Sequence, residues 1–170
     1  YLGFVKDLGE TVMNPQKIAL LTDSCADLSV QMVQEYHIFV VPLRILCADG
    51  EYADGVDIHG ADIYRRLHNG ELPQTSLPSE KVLRQIWEEG YDGVIAVMLS
   101  SGLSGTYNLV RLAAEECGNL LPVRVFDSVS GSLGQGATVL QLAEDIRGGM
   151  SWEELTERRA PQLIANTFPF

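Results

Sequence analysis

Positive charge is scarce in this chain: Lys and Arg together number 12 against 23 Asp and Glu, a net charge of -11. So acidic a surface repels nucleic-acid phosphates, and no basic stripe with interleaved aromatics runs along the chain. No nucleic-acid partner is expected. Cysteine is sparse too. Cys25, Cys47 and Cys117 are odd in number and far apart, with no C-x-x-C pair and no histidine at ligand spacing. They suggest neither a disulfide framework nor a metal site, and a reducing cytoplasm suits them best. No apolar run approaches the roughly 20 residues that cross a bilayer, and the first residues lack the basic, apolar, small-residue order of a signal peptide. A soluble, cytoplasmic protein without stable membrane insertion is expected. Histidine is limited to His37, His59 and His68, none beside a hydroxyl-rich loop.

What is present is the mixture of a folded domain. The chain has 170 residues, 46% hydrophobic and 21% charged, enough for one domain with a substantial core. Residues 1–16 show no clear period and close on Asn14-Pro15, which reads as an N-terminal arm before the domain proper. From Lys17 the pattern is regular. "KIALLT" (17–22) reads as a strand and "SVQMVQEY" (29–36) as a helix with Val30 and Val33 on one face. "IFVVPLRIL" (38–46) reads as one further strand, edge or bulged because of Pro42, and Asp49-Gly50 turns "EYA" back as a hairpin. Helices are expected from Gly60 to Leu67, ending at Asn69-Gly70, and around Val82, Leu83, Ile86 and Trp87. "GVIAVML" (93–99) is a strand covered on both faces, followed by a helix to Gly118. "VRVFD" (123–127) is a strand, residues 136–147 a helix, and Ser151 to Glu154 a capping box opening the last helix. Such alternation predicts an α/β fold of three α/β/α layers around a mainly parallel sheet.

In parallel sheets ligands bind at the carboxyl ends of the strands. Four polar loops fall there: "TDSCAD", "PQTSLPS", "SSGLSGT" and "DSVSGSLGQG". The third is the most suggestive. "LSSGLSGTYNLV" (99–110) places Ser100, Ser101, Ser104, Thr106, Gly102 and Gly105 between a buried strand and a helix, where free amides and hydroxyls can seat an anion. A plainer reading makes Ser104 or Ser101 a helix cap with glycines easing the turn. A serine nucleophile is the third reading, but the spacing is not G-x-S-x-G and no base stands beside it. The stretch also lacks the G-x-x-x-x-G-K-[ST] phosphate loop. Asp23, Asp27, Asp54 and Asp57 read either as acceptors for loop amides or as an acid or metal cluster. Thr75 and Ser76 read either as caps or as ligand contacts.

Taken in order, "TDSCADL", "VVPLRI" followed by "DGEYADGVDI", "TSLPS", "SSGLSGTYN", "VFDSVSGSLGQG" and "GMSWEEL" resemble the DegV family of bacterial fatty-acid-binding proteins, from Lys17 to Asn166. The resemblance implies a non-catalytic lipid carrier without cofactor. Members have two α/β domains enclosing a long-chain fatty acid, which they present to a fatty acid kinase that phosphorylates its carboxylate. Carried onto this sequence, the resemblance implies that Thr75 and Ser104, or failing that Ser101, bind the fatty acid carboxylate. Ser76, Gly105, Thr106, Asp23 and Ser24 support those loops. Family members are nearly twice as long, so the resemblance covers an N-terminal DegV-like domain over 17–166, with 167–170 a truncated end and the second domain absent. An apolar face left open there would favour self-association. The alternative from another class is a small serine-dependent hydrolase or phosphotransfer domain using Ser101 or Ser104 with Asp23 or Asp127.

Overall fold

The computed structural model describes residues 17–76, 81–117 and 121–167. The expected arm over 1–16 lies outside them, as do 168–170. Strands β1 (Ile18–Asp23), β2 (Phe39–Val41), β6 (Gly93–Met98) and β7 (Val123–Asp127) form one parallel sheet in the order β2-β1-β6-β7. Strands β3 (Arg44–Cys47), β4 (Gly50–Ala53) and β5 (Gln74–Ser76) form a small antiparallel sheet in the order β4-β3-β5. The helices are α1 (Val30–Tyr36), α2 (Gly60–His68), α3 (Lys81–Glu88), α4 (Thr106–Cys117), α5 (Ser132–Arg147) and α6 (Ala160–Ala165), the last continuing a π-helical stretch, Glu154–Arg159.

Side-chain alternation along the central strands builds the three layers. Ala19 and Leu21 of β1, with Val94, Ala96 and Met98 of β6, meet Ile86 of α3 and Val110, Ala113 and Ala114 of α4. Leu20, Ile95 and Val97 point the other way, onto Val139, Leu142 and Ala143 of α5 and Ala160 of α6. All six residues of β6 are buried, as its unbroken apolar run requires. Burying each of the larger side chains contributes roughly 1.5–3 kcal/mol. The fold class is therefore the α/β/α arrangement that the alternation of elements predicts.

Four expectations need correction. Residues 38–46 are two strands in different sheets: Pro42 has no N–H to continue a ladder, and the Leu43 N–H donates to Ser24 Oγ at 3.2 Å instead. "TSLPS" begins as strand, since Gln74–Ser76 pairs with Arg44, Ile45 and Leu46. α5 starts at Ser132 rather than near residue 136, because its glycines serve close packing: a Cβ at Gly136 would stand 2.5 Å from the Ala26 carbonyl oxygen. Of the capping box only half forms. Ser151 Oγ accepts the Glu154 N–H at 3.2 Å, while the Glu154 carboxylate pairs with Arg158.

Candidate functional site

The carboxyl ends of β1, β6 and β7 converge on the Leu99–Gly105 loop. Parallel register sets this up, since Thr22 pairs with Val97 and Met98 with Asp127. Asp23, wholly buried, accepts the Leu99 N–H at 2.7 Å through Oδ2. The Ser100 N–H donates to the Ser130 carbonyl at 2.9 Å, and Ser101 N–H to Asp127 Oδ1 at 3.1 Å. Gly102 N–H donates to Ser100 Oγ at 3.3 Å, and the Leu103 and Ser104 N–H groups both donate to the Ser100 carbonyl. Every amide from Leu99 to Ser104 is thus spent inside the protein. The expectation of free backbone amides in this stretch is corrected: what the loop offers a ligand is hydroxyls, besides the first turn of α4.

Those hydroxyls are arranged by the start of α4. The Gly105 carbonyl accepts the Leu109 N–H, which makes Gly105 the N-cap rather than Ser104 or Ser101. Ser104, one residue earlier and half-buried, accepts the Thr106 N–H at 3.2 Å, and its oxygen lies 2.9 Å from Thr106 Oγ1. Thr106 is fully buried. Either hydroxyl can be the donor of the Ser104–Thr106 contact; in the arrangement where Thr106 donates, the Ser104 hydrogen is free for a ligand. Ser101 is exposed. Among the described residues neither serine owes its orientation to a histidine or lysine: the loop is held by Asp23, Asp127, the Ser130 carbonyl and its own atoms.

The other predicted residues lie elsewhere. Ser24 is half-buried and ties the end of β1 to Leu43. Thr75 is exposed on β5, an edge strand of the small sheet, opposite Ile45, and the Ser76 backbone stands opposite Arg44. The structure therefore gathers Ser101, Ser104, Gly105 and Thr106 above Asp23 and leaves Thr75 and Ser76 on the other sheet. Of the other aspartates, Asp27 takes the Ser132 hydroxyl at 2.6 Å and Asp57 the Ala53 N–H at 2.9 Å. Between the sheets opens a cleft of about 490 Å³, lined by Asp23, Ser24, Val30, Val33, Val40, Pro42 and Val56 among others. Cys47, Asp49 and Glu71 bring possible metal ligands within 4.8 Å of one another, but Arg66 already pairs with both carboxylates, at 2.8 and 3.1 Å.

Two residues went unseen in the sequence reading. Gln135 is fully buried, and its Nε2 donates to Thr22 Oγ1 and to Asp23 Oδ1, both at 3.0 Å. Its Oε1 has no partner among the described residues, which costs roughly 1–3 kcal/mol. The one sequence signal was a long amide between two glycines. Val129 holds φ +51°, rare for a β-branched residue, with its N–H on Asp127 Oδ1 at 2.9 Å. Nothing local announces it. Burial drives the Asp23 carboxyl above its ordinary range, while the N–H groups of Leu99, Gln135 and Cys25 oppose the rise.

A family model described as "Uncharacterised protein, DegV family" matches residues 17–167. The chain belongs to the DegV family. It is 42% identical over 155 residues to a DegV domain-containing protein of Clostridium acetobutylicum, covering 89% of this chain and 54% of that one. Its fold matches that of DegV, a fatty acid binding protein from Bacillus subtilis, with a TM-score of 0.80 at 30% identity, over 88% of this chain and 54% of that one. A stearic acid-binding protein from Eubacterium ventriosum matches with a TM-score of 0.75 at 26% identity, over 87% and 52% of the two chains. This DegV-family chain therefore spans about half the length of the relatives it matches.

Proposed function

We propose that this DegV-family chain seats the carboxylate of a long-chain fatty acid as part of a non-catalytic, cytoplasmic carrier that presents the lipid to a fatty acid kinase. Ser101 and Ser104 donate their hydroxyls from the α4 loop, and Thr75 supplies a third from β5. Gly105, Thr106, Asp23, Ser24 and Ser76 shape the loops around them. The observation that carries the reading is the consumption of every Leu99–Ser104 amide by internal acceptors, which leaves side-chain hydroxyls as that loop's chemistry. Two or three neutral donors suit a singly charged carboxylate, whereas a phosphate cradle needs several free amides.

Large apolar side chains follow the strand ends: Leu103 is 60% exposed and Leu133 82%. They form part of the face against which the acyl tail and a second domain close, and where copies of an open form would associate. That fatty acids are ligands of solved DegV relatives supports the same reading.

The test is mass spectrometry of lipid extracted from natively purified protein. A long-chain fatty acid at near-stoichiometric level is expected, and Thr75→Ala with Ser104→Ala lowers retention on the order of tenfold or more. Protein that carries no fatty acid, and takes up none when supplied, overturns the proposal.

A further inference from the structure

We propose that Gln135 is the positioning residue of the hydroxyl loop, acting through Asp23 from the first turn of α5. The inference rests on the fatty-acid reading for its ligand, but not for its geometry. Gln135 Nε2 bridges two strand-end side chains that each hold β6: Thr22 Oγ1 donates to the Val97 carbonyl at 2.7 Å, and Asp23 Oδ2 accepts the Leu99 N–H at 2.7 Å. One amide group thereby fixes the last turn of the strand and the first residue of the loop.

The direction of the amide is dictated chemically. Asp23 Oδ1 accepts, and the Thr22 hydrogen is committed to Val97, so only the NH₂ can face them. Gln135 Oε1 is left buried and unpaired as a result. An apolar side chain of the same length would bury without that penalty, so the donor itself is what this position supplies. No other described side chain donates to Asp23; its remaining donors are the Leu99 and Cys25 amides. Deleting the Gln135 bonds therefore removes the one described side-chain donor that positions the carboxylate gripping Leu99, leaving it to two backbone amides, without touching Ser101 or Ser104.

Gln135→Met and Gln135→Glu in the 170-residue chain test this, with two readouts. One is the hydrogen-exchange protection factor of the Leu99 amide, referenced to Ile95 in mid-strand. The other is retention of stearic acid. Methionine keeps the volume and the fold; it is expected to lower Leu99 protection and lipid retention about tenfold each while Ile95 stays protected. Glutamate places two carboxylates together, and one must hold a proton to restore the bond. Asp27 and Asp54 are the other acidic groups beside this turn, where with Asp23 they raise the Cys25 thiol. Leu99 protection and retention in Gln135→Glu therefore approach the natural chain's at acid pH, where the shared proton is held, and fall away as the pH rises and it is lost. Leu99 protection unchanged in Gln135→Met, or parallel loss at Ile95 showing a general structural role, overturns the inference. So does pH-independent protection in Gln135→Glu. If the natural chain retains no stearic acid, the fatty-acid reading fails and Leu99 protection alone decides the role of Gln135.

Discussion

Gly136→Ala sets helix propensity against close packing, and the structure decides the sign. In a helix interior alanine is favoured over glycine by about 0.8–1.0 kcal/mol. At Gly136, however, the added Cβ would stand 2.5 Å from the Ala26 carbonyl oxygen and 3.4 Å from Leu28 Cδ2. That is roughly an ångström inside ordinary contact, and the nearest atom is backbone. The Ser24–Ala26 turn that bears it cannot yield easily, because Asp23 Oδ1 accepts the Cys25 N–H and Ser24 Oγ accepts the Leu43 N–H. Overpacking costs about 1–3 kcal/mol, and a pinned backbone neighbour puts this site in the upper half. The net is a loss of about 1–2 kcal/mol, or roughly 2–8 °C in Tm for a domain of this size. Gly134→Ala is the internal control. Its Cβ would meet Ser130 Oγ at 2.2 Å, Thr167 Cγ2 at 2.9 Å and Ser130 Cβ at 3.3 Å, all side-chain atoms that can shift further than the Ala26 backbone, so it should cost less than Gly136→Ala. Thermal and urea unfolding followed by circular dichroism measures both variants. A Gly136→Ala chain as stable as the natural one, or less damaged than Gly134→Ala, refutes the close-approach account.

Two further outcomes follow from titratable groups that burial shifts, the buried Asp23 and the half-buried Cys25. The folded-state pKa of Asp23 is raised by burial, so its contribution to stability is present at low pH and lost as pH rises through that raised value. In urea titrations from about pH 4 upward, the stability of the natural chain relative to Asp23→Asn should therefore decline; a constant difference contradicts it. Burial and the carboxylates of Asp23, Asp54 and Asp27 push the Cys25 thiol up to about 12. Alkylation of Cys25 at pH 8 should run on the order of a thousandfold slower in the folded chain than for a free thiol, and recover in urea. A folded-state rate near the free-thiol value is the refuting result.

Elements whose causes are local were legible in the sequence. β6 announced itself by six apolar residues, and α2 by its stop at Asn69-Gly70, where Gly70 takes φ +84°. Elements with distant causes were not. The split at Pro42 depends on Ser24 Oγ capturing the Leu43 N–H across 19 positions, and periodicity over 38–46 carries no trace of it. β5 is polar and lies at a sheet edge, so Gln74-Thr75-Ser76 shows no apolar alternation. The glycines of "GSLGQG" read as turn signals, although Gly136 is there for the carbonyl of Ala26. The candidate site divides the same way. Its hydroxyls were visible in "SSGLSGT", but the acceptors that consume its amides stand 76 positions away at Asp23 and 26 away at Asp127.

That division bears on what kind of site the loop forms. An acyl-transfer centre needs unspent donors aimed at charge that develops during reaction, and a base aligned with its nucleophile. Leu99 to Ser104 spend their amides on Asp23, Ser130, Asp127 and Ser100, and the Ser104 hydroxyl is oriented by Thr106. Such a loop has its hydrogen bonds made before any ligand arrives, which suits a charge that already exists. Each hydroxyl to a carboxylate contributes about 1.5–3 kcal/mol, comparable in sum to the 4–15 kcal/mol that association itself costs. Burial of methylenes at about 0.8 kcal/mol each soon exceeds both. In the fatty-acid reading the hydroxyls therefore fix which end of the ligand faces the loop, and apolar surface supplies the affinity. The exposed Leu103 and Leu133, beside a loop that has only hydroxyls to offer, are where that surface begins.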